Sequence, residues 1–178
     1  MPHLVLSAVG ADRPGIVAAV TGALVELGCN LEDSTMTVLR GHFTVMLVVS
    51  APEGVGPAEV EAALAAPAGA FGLDVAARPL PEEVAPPAEG EAWAVSVHGA
   101  DRPGIVHRVT SELARFGANV VDLATRVVGE PSQPAYVMLL SVRLPPGADG
   151  GALAARLGEV GSELGVSCVM HPAEADVL

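Results

Sequence analysis

Two kinds of hydrophobic pattern alternate along this chain of 178 residues. An apolar run over residues 4–9 predicts a strand, and apolar positions three and four residues apart then predict an amphipathic helix over 14–27. Alternating and β-branched residues over 30–39 and 42–49 predict two more strands, joined into a hairpin by a tight Arg-Gly turn. The chain is therefore expected to begin with a strand, a helix and a hairpin.

The first predicted helix has residues typical of helix ends on both sides. Pro14 is expected in its first turn, with Asp12 or Arg13 as the capping residue. Gly28 is expected directly after its last turn, where a residue in the left-handed conformation ends many helices.

A second, alanine-rich helix is predicted over 58–66. Pro67 and Gly69 are expected to end it, because both residues disfavour a continuing helix. An apolar run over 71–76 predicts the last strand of this half of the chain. The expected order is strand, helix, strand, strand, helix, strand.

The second half of the chain repeats the first. The eight residues 10–17 return unchanged as 99–106, and 14 of the 24 residues over 10–33 are identical to those over 99–122. Identity at a fixed offset indicates a tandem duplication, so the same order of elements is expected, with Gly117 after the first helix. The elements predicted in this half are strands over 92–97, 119–128, 135–142 and 166–170, helices over 103–116 and 150–164, and a longer hairpin turn over 129–134.

This order of elements is typical of the ferredoxin-like arrangement, in which two helices cover one face of an antiparallel four-stranded sheet. We therefore predict an α+β fold with two such domains, over residues 1–78 and 92–178. Residues 79–91 contain four prolines and four glutamates with little to bury, which predicts an extended linker.

Charge and composition exclude several classes of function. A net charge of −12 repels nucleic-acid phosphates and anionic lipids, so we expect no direct binding to nucleic acid or membrane. The sequence shows no leader and no apolar run of membrane-spanning length, which favours a cytoplasmic protein. Cys29 and Cys168 stand at non-equivalent positions of the two repeats and are expected to be buried, free thiols.

The sequence has no pattern typical of catalysis or of a metal site. It contains no nucleophile elbow, no phosphate-binding loop and no carboxylate pair placed for acid–base chemistry. The five histidines lack the spacing of metal ligands and are expected at the surface or at strand ends; if any of them touches a ligand, it is His98, directly before the second repeated loop. We therefore predict that the protein is not an enzyme and uses no catalytic residue, metal or cofactor.

The repeated loop is the strongest candidate for a binding site. It connects a strand to the start of a helix, where backbone N–H groups and the positive end of the helix dipole attract an anion. Gly15 and Gly104 would let a ligand approach the main chain closely.

The Asp-Arg-Pro-Gly loop, followed by a helix, a glycine and an asparagine, resembles the ACT domain, a small-molecule-sensing module, in both repeats. The resemblance implies that an amino acid binds between two ACT units, at this loop and at the start of the second strand. The loop N–H groups would hold the α-carboxylate, and an Asn or Asp oxygen would hold the α-ammonium. The implied contacts are Asp12, Arg13, Pro14, Gly15, Ile16, Asn30, Leu31 and Asp33, and their equivalents Asp101, Arg102, Pro103, Gly104, Ile105, Asn119, Val120 and Asp122.

Residues 30–43 resemble the glycine cleavage system transcriptional repressor family, whose members are stand-alone tandem ACT proteins. This resemblance implies a regulator that senses a small amino acid, such as glycine, and signals to a protein partner such as a transcription regulator. The two domains are expected to dock side by side within a chain, and chains are expected to form a homodimer. The second repeat departs from the pattern at Val121 and Leu123, where the first has Glu32 and Ser34.

Three alternatives stay open at this point. In the first, the Asp-Arg-Pro-Gly loops only cap helices, and Asn30 and Asn119 accept a left-handed or turn conformation after the glycines. A small enzyme acting on an anionic metabolite would use Arg13 and Arg102 as anion clamps and the same asparagines as polarising amides. A structural protein-interaction module would bind no small molecule at all.

Overall fold

The structure is a computed structural model that describes residues 1–81, 90–129 and 134–173. It divides into two compact units, Met1–Val84 and Ala85–Leu178, which we call the first and second domains. Each domain has the predicted order of elements, so the tandem ferredoxin-like α+β fold is confirmed.

The two domains have matching elements. The first contains β1 (His3–Ala11), α1 (Ile16–Glu26), β2 (Asn30–Leu39), β3 (His42–Ser50), α2 (Pro57–Phe71) and β4 (Leu73–Leu80). The second contains β5 (Glu91–Gly99), α3 (Ile105–Arg115), β6 (Asn119–Val128), β7 (Ala135–Leu144), α4 (Gly150–Leu164) and β8 (Val166–Pro172).

Each sheet is antiparallel, with the strand order β2-β3-β1-β4 in the first domain and β6-β7-β5-β8 in the second. Buried residues alternate along the two central strands and recur at helical spacing in the helices, because one face of the sheet packs on the helices. The core of the first domain includes Leu4, Leu6, Ile16, Val20, Leu24, Phe43, Val45, Leu47, Val49, Val60 and Leu64. An equivalent hydrophobic core fills the second domain.

β2 is an edge strand that is exposed along its whole length. Met36 and Val38 pair with Val45 and Phe43 of β3, so they point to the helix side of the sheet, yet they are 52% and 45% exposed. The helices therefore cover the central strands and leave β2 uncovered within the first domain.

The second helix of the first domain is longer than its sequence predicts. The prediction that Pro67 and Gly69 end this helix is wrong, because α2 continues through Pro67 to Phe71. Proline removes one backbone hydrogen bond from a helix interior. Packing of the part-buried Phe71 against the core and a left-handed Gly72 after it place the end of the helix later.

Several strands are also longer than predicted. Pro79 and Leu80, placed in the linker by composition, continue β4, and Glu91 begins β5. The rest of the predicted linker falls mainly on residues 82–89, and most of the predicted second hairpin turn on residues 130–133, which lie outside the described residues.

Candidate functional site

The repeated loop leads into a helix whose cap is a glycine. Gly15 has φ 96° and is the N-cap of α1, and Gly104 has φ 92° and is the N-cap of α3. Side chains disfavour this left-handed backbone, which explains a glycine at both positions. The predictions that Asp12 or Arg13 caps the helix and that Pro14 lies in its first turn are therefore wrong, since α1 begins at Ile16.

The first turns of α1 and α3 have no side-chain cap. The carbonyl oxygens of Gly15 and Gly104 accept the first helical bonds, from Ala19 N–H and Arg108 N–H, both at 2.9 Å. Neither glycine cap has a side chain that could accept a hydrogen bond from the N–H groups of the first helical turn, which come before Ala19 and Arg108. Such groups otherwise bond to a capping side chain, water or a ligand. The loop glycine is therefore the helix cap, as the capping alternative expects, and it caps through its backbone alone.

In the first domain the loop is anchored to the β2–β3 hairpin. Asp12 N–H donates to the carbonyl oxygen of Gly41 at 2.9 Å. Arg40 and Gly41 both have positive φ, 50° and 80°, as expected for the predicted two-residue turn. This hydrogen bond fixes the start of the loop and satisfies the Asp12 N–H group.

The surroundings of the two glycine caps differ. A Cβ atom built on Gly15 would lie 3.6 Å from the ring of Phe71, at the end of α2. No atom of the described residues lies within 4 Å of a Cβ built on Gly104. The main chain at Gly104 is therefore the more open of the two.

The arginines of the two loops also differ in their surroundings. The Arg102 guanidinium lies 3.2 Å from a Cβ built on Gly165, the residue that follows α4, whereas no atom of the described residues lies within 4 Å of a Cβ built on Gly72. Arg102 therefore packs at the C-terminal end of α4, where the negative end of the helix dipole favours a cation.

The other predicted contacts begin β2 and β6, at the end of each sheet opposite to the loop. Asn30 pairs with Ser50, which pairs with His3 at the start of β1, whereas the loop follows Ala11 at the end of β1. The eight steps along β1 separate the two ends by roughly 27 Å. A single amino acid therefore cannot contact Gly15 and Asn30 of the same domain.

The starts of β2 and β6 share a β-bulge. The pairing register shifts between Leu31 and Asp33 in β2 and between Val120 and Asp122 in β6. Asp33 Oδ1 accepts a hydrogen bond from Ser34 N–H at 2.8 Å, which uses one of its two oxygens. Asn30 and Asn119 lie in strands, so the alternative that they adopt turn conformations is wrong. The expected pocket formed by two ACT units stays a prediction.

Around the bulge the first domain also has a polar contact between two side chains. Glu32 Oε2 lies 3.2 Å from His3 Nε2, and both side chains are about two-fifths exposed, at 38% and 42%. The second domain has Val121 at the equivalent position. The two strand starts therefore differ in charge, as the sequence comparison of the repeats predicts.

Tyr136 is a polar residue beside the second repeated loop that belongs to no motif of the sequence. Tyr136 pairs with Gly99 at the end of β5, and the equivalent residue of the first domain, Phe43, pairs with Gly10. Tyr136 is 7% exposed, and its hydroxyl has no hydrogen-bond partner among the described residues. Burial raises the pKa of Tyr136, and the nearby negative charge of Asp101 raises it further. Aligning the two repeats by their strands would have revealed this substitution.

A second group of polar residues lies on the helices of the second domain. Glu112 is 5% exposed, and its Oε1 accepts hydrogen bonds from Arg115 at 2.9 Å and from Arg156 at 3.3 Å. Hydrogen bonding from Arg156 is the main cause that lowers the pKa of Glu112. A groove of about 250 Å³ beside this network is lined by His107, Arg108, Ser111, Glu112, Arg115 and Arg156. In α1 of the first domain, the positions equivalent to the first four of these are Ala or Gly.

Among residues 1–81, 90–129 and 134–173, no three His, Cys, Asp or Glu side chains are grouped closely enough to hold a metal ion. The described helices also include none with the length and apolar character needed to cross a membrane. Both cysteines are buried and free, as predicted.

Comparison with known families identifies the fold more narrowly. Two family profiles described as ACT domain match residues 2–78 and residues 93–156. The chain belongs to the ACT-domain family. The predicted resemblance to a tandem ACT protein is therefore confirmed.

Relatives of this tandem ACT protein include a transcription regulator. The glycine cleavage system transcriptional repressor of Escherichia coli (strain K12) is 28% identical over 155 residues, which are 87% of this chain and 80% of the repressor. A shorter match is 49% identical over 49 residues to a UPF0237 protein of Streptococcus pneumoniae and covers 28% of this chain and 56% of that protein. The similarity to the repressor supports a regulatory role for this protein.

Solved structures agree with the tandem ACT fold. A crystal structure of an unknown protein from Galdieria sulphuraria has a TM-score of 0.82 and 28% identity, and the match covers 97% of this chain and 99% of that one. A structure provisionally described as a glycine cleavage system transcriptional repressor has a TM-score of 0.67 and 19% identity, with 97% and 98% covered. The second likeness supports the fold alone.

Proposed function

We propose that this tandem ACT protein is a non-catalytic regulator that binds a small amino acid, such as glycine, at its repeated loops and signals its occupancy to a protein partner. The observation that carries this proposal is the pair of helix starts, capped by Gly15 and Gly104, whose first-turn N–H groups have no side-chain cap.

A carboxylate suits these helix starts. The backbone N–H groups of residues 15–18 and 104–107 point toward the helix N-terminus, where the helix dipole places a partial positive charge. Hydrogen bonds to a charged group contribute about 1.5–3 kcal/mol, and the dipole adds about 0.3–1 kcal/mol at an exposed helix end. The main chain supplies these donors, so they would recognise the part that all amino acids share.

The residues around the helix starts are the proposed contacts. In the second domain these are Asp101, Arg102, Pro103, Gly104 and Ile105, and in the first they are Asp12, Arg13, Pro14, Gly15 and Ile16. The strand-start residues Asn30, Leu31, Asp33, Asn119, Val120 and Asp122 would contact an amino acid held by the loop of another ACT unit.

Signalling through a protein partner fits the charge of the chain. A net charge of −12 opposes direct contact with DNA phosphates. A transcription regulator that itself binds DNA is the partner class that the similarity to the E. coli repressor favours. A homodimer of the chain stays part of this proposal.

The first experiment is a thermal-shift screen of the full chain against the twenty amino acids, followed by calorimetric titration of those that raise the melting temperature. Binding to the folded state alone raises stability by RT ln(1 + [L]/Kd), about 2.7 kcal/mol at a hundredfold excess over Kd. Failure of every amino acid to shift the melting temperature or to release heat would contradict the proposal.

The second experiment places a competing carboxylate at the helix starts. Val17 and Val106, each the second residue of its helix, are 46% and 37% exposed. Val17→Glu with Val106→Glu should leave the fold intact, since acidic residues suit a first turn. Like charges about 5 Å apart near a protein surface repel by roughly 3 kcal/mol before salt screening, so amino-acid affinity should fall at least about tenfold.

The matched control is Val17→Gln with Val106→Gln, which adds a side chain of the same size without charge. This control should bind the amino acid within about threefold of the parent protein, because each 1.4 kcal/mol corresponds to a tenfold change. Equal affinities for the Glu and Gln variants would show that the carboxylate does not lie at the helix starts.

A further inference from the structure

Each sheet has one face that its own helices leave uncovered. Buried residues of the central strands point to the helices, so the residues that alternate with them form the opposite face, which we call the open face. The open face of the first domain includes Val9 and Met46, which are 43% and 51% exposed, and that of the second includes Leu139 and Val169, at 52% and 49%. Large apolar side chains grouped on an exposed surface indicate an interaction site.

Charged side chains lie at the edges of both open faces. Residues that pair directly across antiparallel strands share a face, so the register places Asp74 and Arg78 on β4 at the edge of the first open face. Arg126 and Asp122 lie on β6 at the edge of the second. Asp74 and Arg126 are nearer the repeated loop of their domains, and Arg78 and Asp122 are nearer the start of the first strand. Within residues 1–81, 90–129 and 134–173, none of these four side chains forms an ion pair.

The two open faces have complementary charges when one is turned onto the other with β1 and β5 parallel. Turning a sheet about its strand direction reverses the order of its strands, so β4 comes to lie over β6 and β2 over β8. Asp74 then lies opposite Arg126, and Arg78 lies opposite Asp122. Each of the four charges thereby meets an opposite charge.

The other edge of the two faces agrees with this orientation. Asp33 on β2 comes to lie opposite His171 on β8, so no charged side chain in these rows meets a like charge. A first open face packed on a copy of itself would instead place Asp74 opposite the uncharged Thr37. Charge therefore favours the contact between a first and a second domain.

The side chains at the middle of the two faces also fit in size. Met46 pairs with Ser7 in the first domain, and Leu139 pairs with Ser96 in the second. In the same orientation β3 lies over β5 and β1 over β7, so each large side chain meets the serine of the other face. Side chains of packed sheets interdigitate in this way, with the sheets about 10 Å apart.

The area of the open faces suits a dimer of two copies. Four strands about 4.8 Å apart and six residues along each strand give a face of roughly 20 by 20 Å, or about 400 Å². Two copies that pack reciprocally cover four such faces, about 1,600 Å² in total, which matches the size of a stable protein interface. A single pair of faces would cover only about half of this area.

We propose that two copies of this chain form a dimer through their open faces, with the first domain of each copy packed on the second domain of the other. The two contacts are related by two-fold symmetry, so the assembly closes at two chains. This inference specifies the surface of the homodimer in the proposed function and rests on that part of it. It requires no bound amino acid.

The test is sedimentation equilibrium of the full chain without added amino acid, in which the parent protein should be a dimer. Met46→Asp and Leu139→Asp should each raise the dissociation constant at least about 30-fold, because each change removes two apolar contacts from the dimer. Circular dichroism should show that both variants are folded, since the substituted side chains are exposed in the single chain.

An exchange of charges tests the pairing of the faces. Asp74→Arg and Arg126→Asp should each raise the dissociation constant at least about tenfold, because each places like charges opposite one another at both contacts. The double variant should return to within about threefold of the parent. The matched control is Glu26→Arg, the same change of charge on exposed α1 outside the open face, which should dimerise within about threefold of the parent.

The outcomes separate this inference from the rest of the proposed function. A parent protein that is monomeric at every concentration measured overturns this inference and the homodimer, whereas amino-acid binding is judged by the thermal-shift screen. A dimeric parent whose dissociation constant is unchanged in the folded Met46→Asp and Leu139→Asp variants overturns only the assignment of the open faces. If these two variants do not fold, the charge exchange on the exposed edge strands decides, and failure of the double variant to recover dimerisation overturns the inference.

Discussion

Replacing the glycine caps by alanine should destabilise each domain, although an added methyl group meets no steric clash there. Gly104 has open space around its Cβ position, and Gly15 has only the Phe71 ring in ordinary contact at 3.6 Å. The obstacle is the backbone, since φ is 96° at Gly15 and 92° at Gly104. These angles lie beyond the left-handed well near +57° that other residues sometimes adopt.

The magnitude follows from the backbone strain. An L-residue in the left-handed region costs about 1–2 kcal/mol, and a sparsely populated conformation costs up to about 3 kcal/mol. For a domain of roughly this size, each 1 kcal/mol lowers the melting temperature by about 4–8 °C. Gly15→Ala should therefore lower the melting transition of the first domain by about 4–24 °C, and Gly104→Ala should do so in the second.

The matched control is Gly22→Ala, in the exposed interior of α1, where no atom of the described residues lies within 4 Å of a built Cβ. This change should raise the free energy of unfolding by about 0.5–1 kcal/mol, because alanine favours a helix. Calorimetry and circular dichroism of the full chain would measure the melting temperature and the free energy of unfolding of these variants. If Gly15→Ala or Gly104→Ala melts at or above the parent temperature, the left-handed caps and the argument from strain are wrong.

Three other outcomes follow from the structure and the charge. Glu112, with its pKa lowered mainly by the hydrogen bond from Arg156, stabilises the second domain above the ordinary pKa of 4.5, and this contribution is lost as pH falls through the lowered value. Acid unfolding followed by circular dichroism should accordingly depend less on pH in Glu112→Gln, and equal pH profiles would contradict the role of this pair. Burial raises the pKa of Cys168 to about 11, so a thiol reagent at pH 8 should modify it slowly in the folded protein and quickly after denaturation. Rapid labelling of Cys168 in the native state would refute its burial. The purified protein should not bind duplex DNA at physiological salt, because a chain with a net charge of −12 is repelled by the phosphates instead of displacing their counterions. A salt-dependent gel shift by the protein alone would contradict this prediction.

Local patterns in the sequence determined most of the secondary structure. The hydrophobic patterns predict β6 over Asn119–Val128 and α4 over Gly150–Leu164 with the bounds that the structure has. Gly28 and Gly117 have positive φ after the helices, as predicted. These features depend on residues close together in the chain, so their preferences are visible without the fold.

Tertiary structure decided where several elements begin and end. Pro67 ends a helix by local preference, but packing of Phe71 against the core outweighs one lost hydrogen bond, and α2 continues. Asp12 has the side chain of a helix cap, yet its N–H bonds to Gly41, and the helix begins after a left-handed Gly15. In both places a contact distant in sequence overrides the local preference.

The candidate site shows the same division between local and distant information. The sequence identified the repeated loops, because eight identical residues at a fixed offset are visible in the chain itself. Only the sheet register shows that Asn30 lies at the opposite end of its domain from Gly15. The pairing of Tyr136 with Gly99, and the burial of its hydroxyl without a partner among the described residues, likewise depend on strands brought together by folding. A hydrogen-bond partner and its absence are properties of neighbours in space, which one-dimensional spacing does not specify.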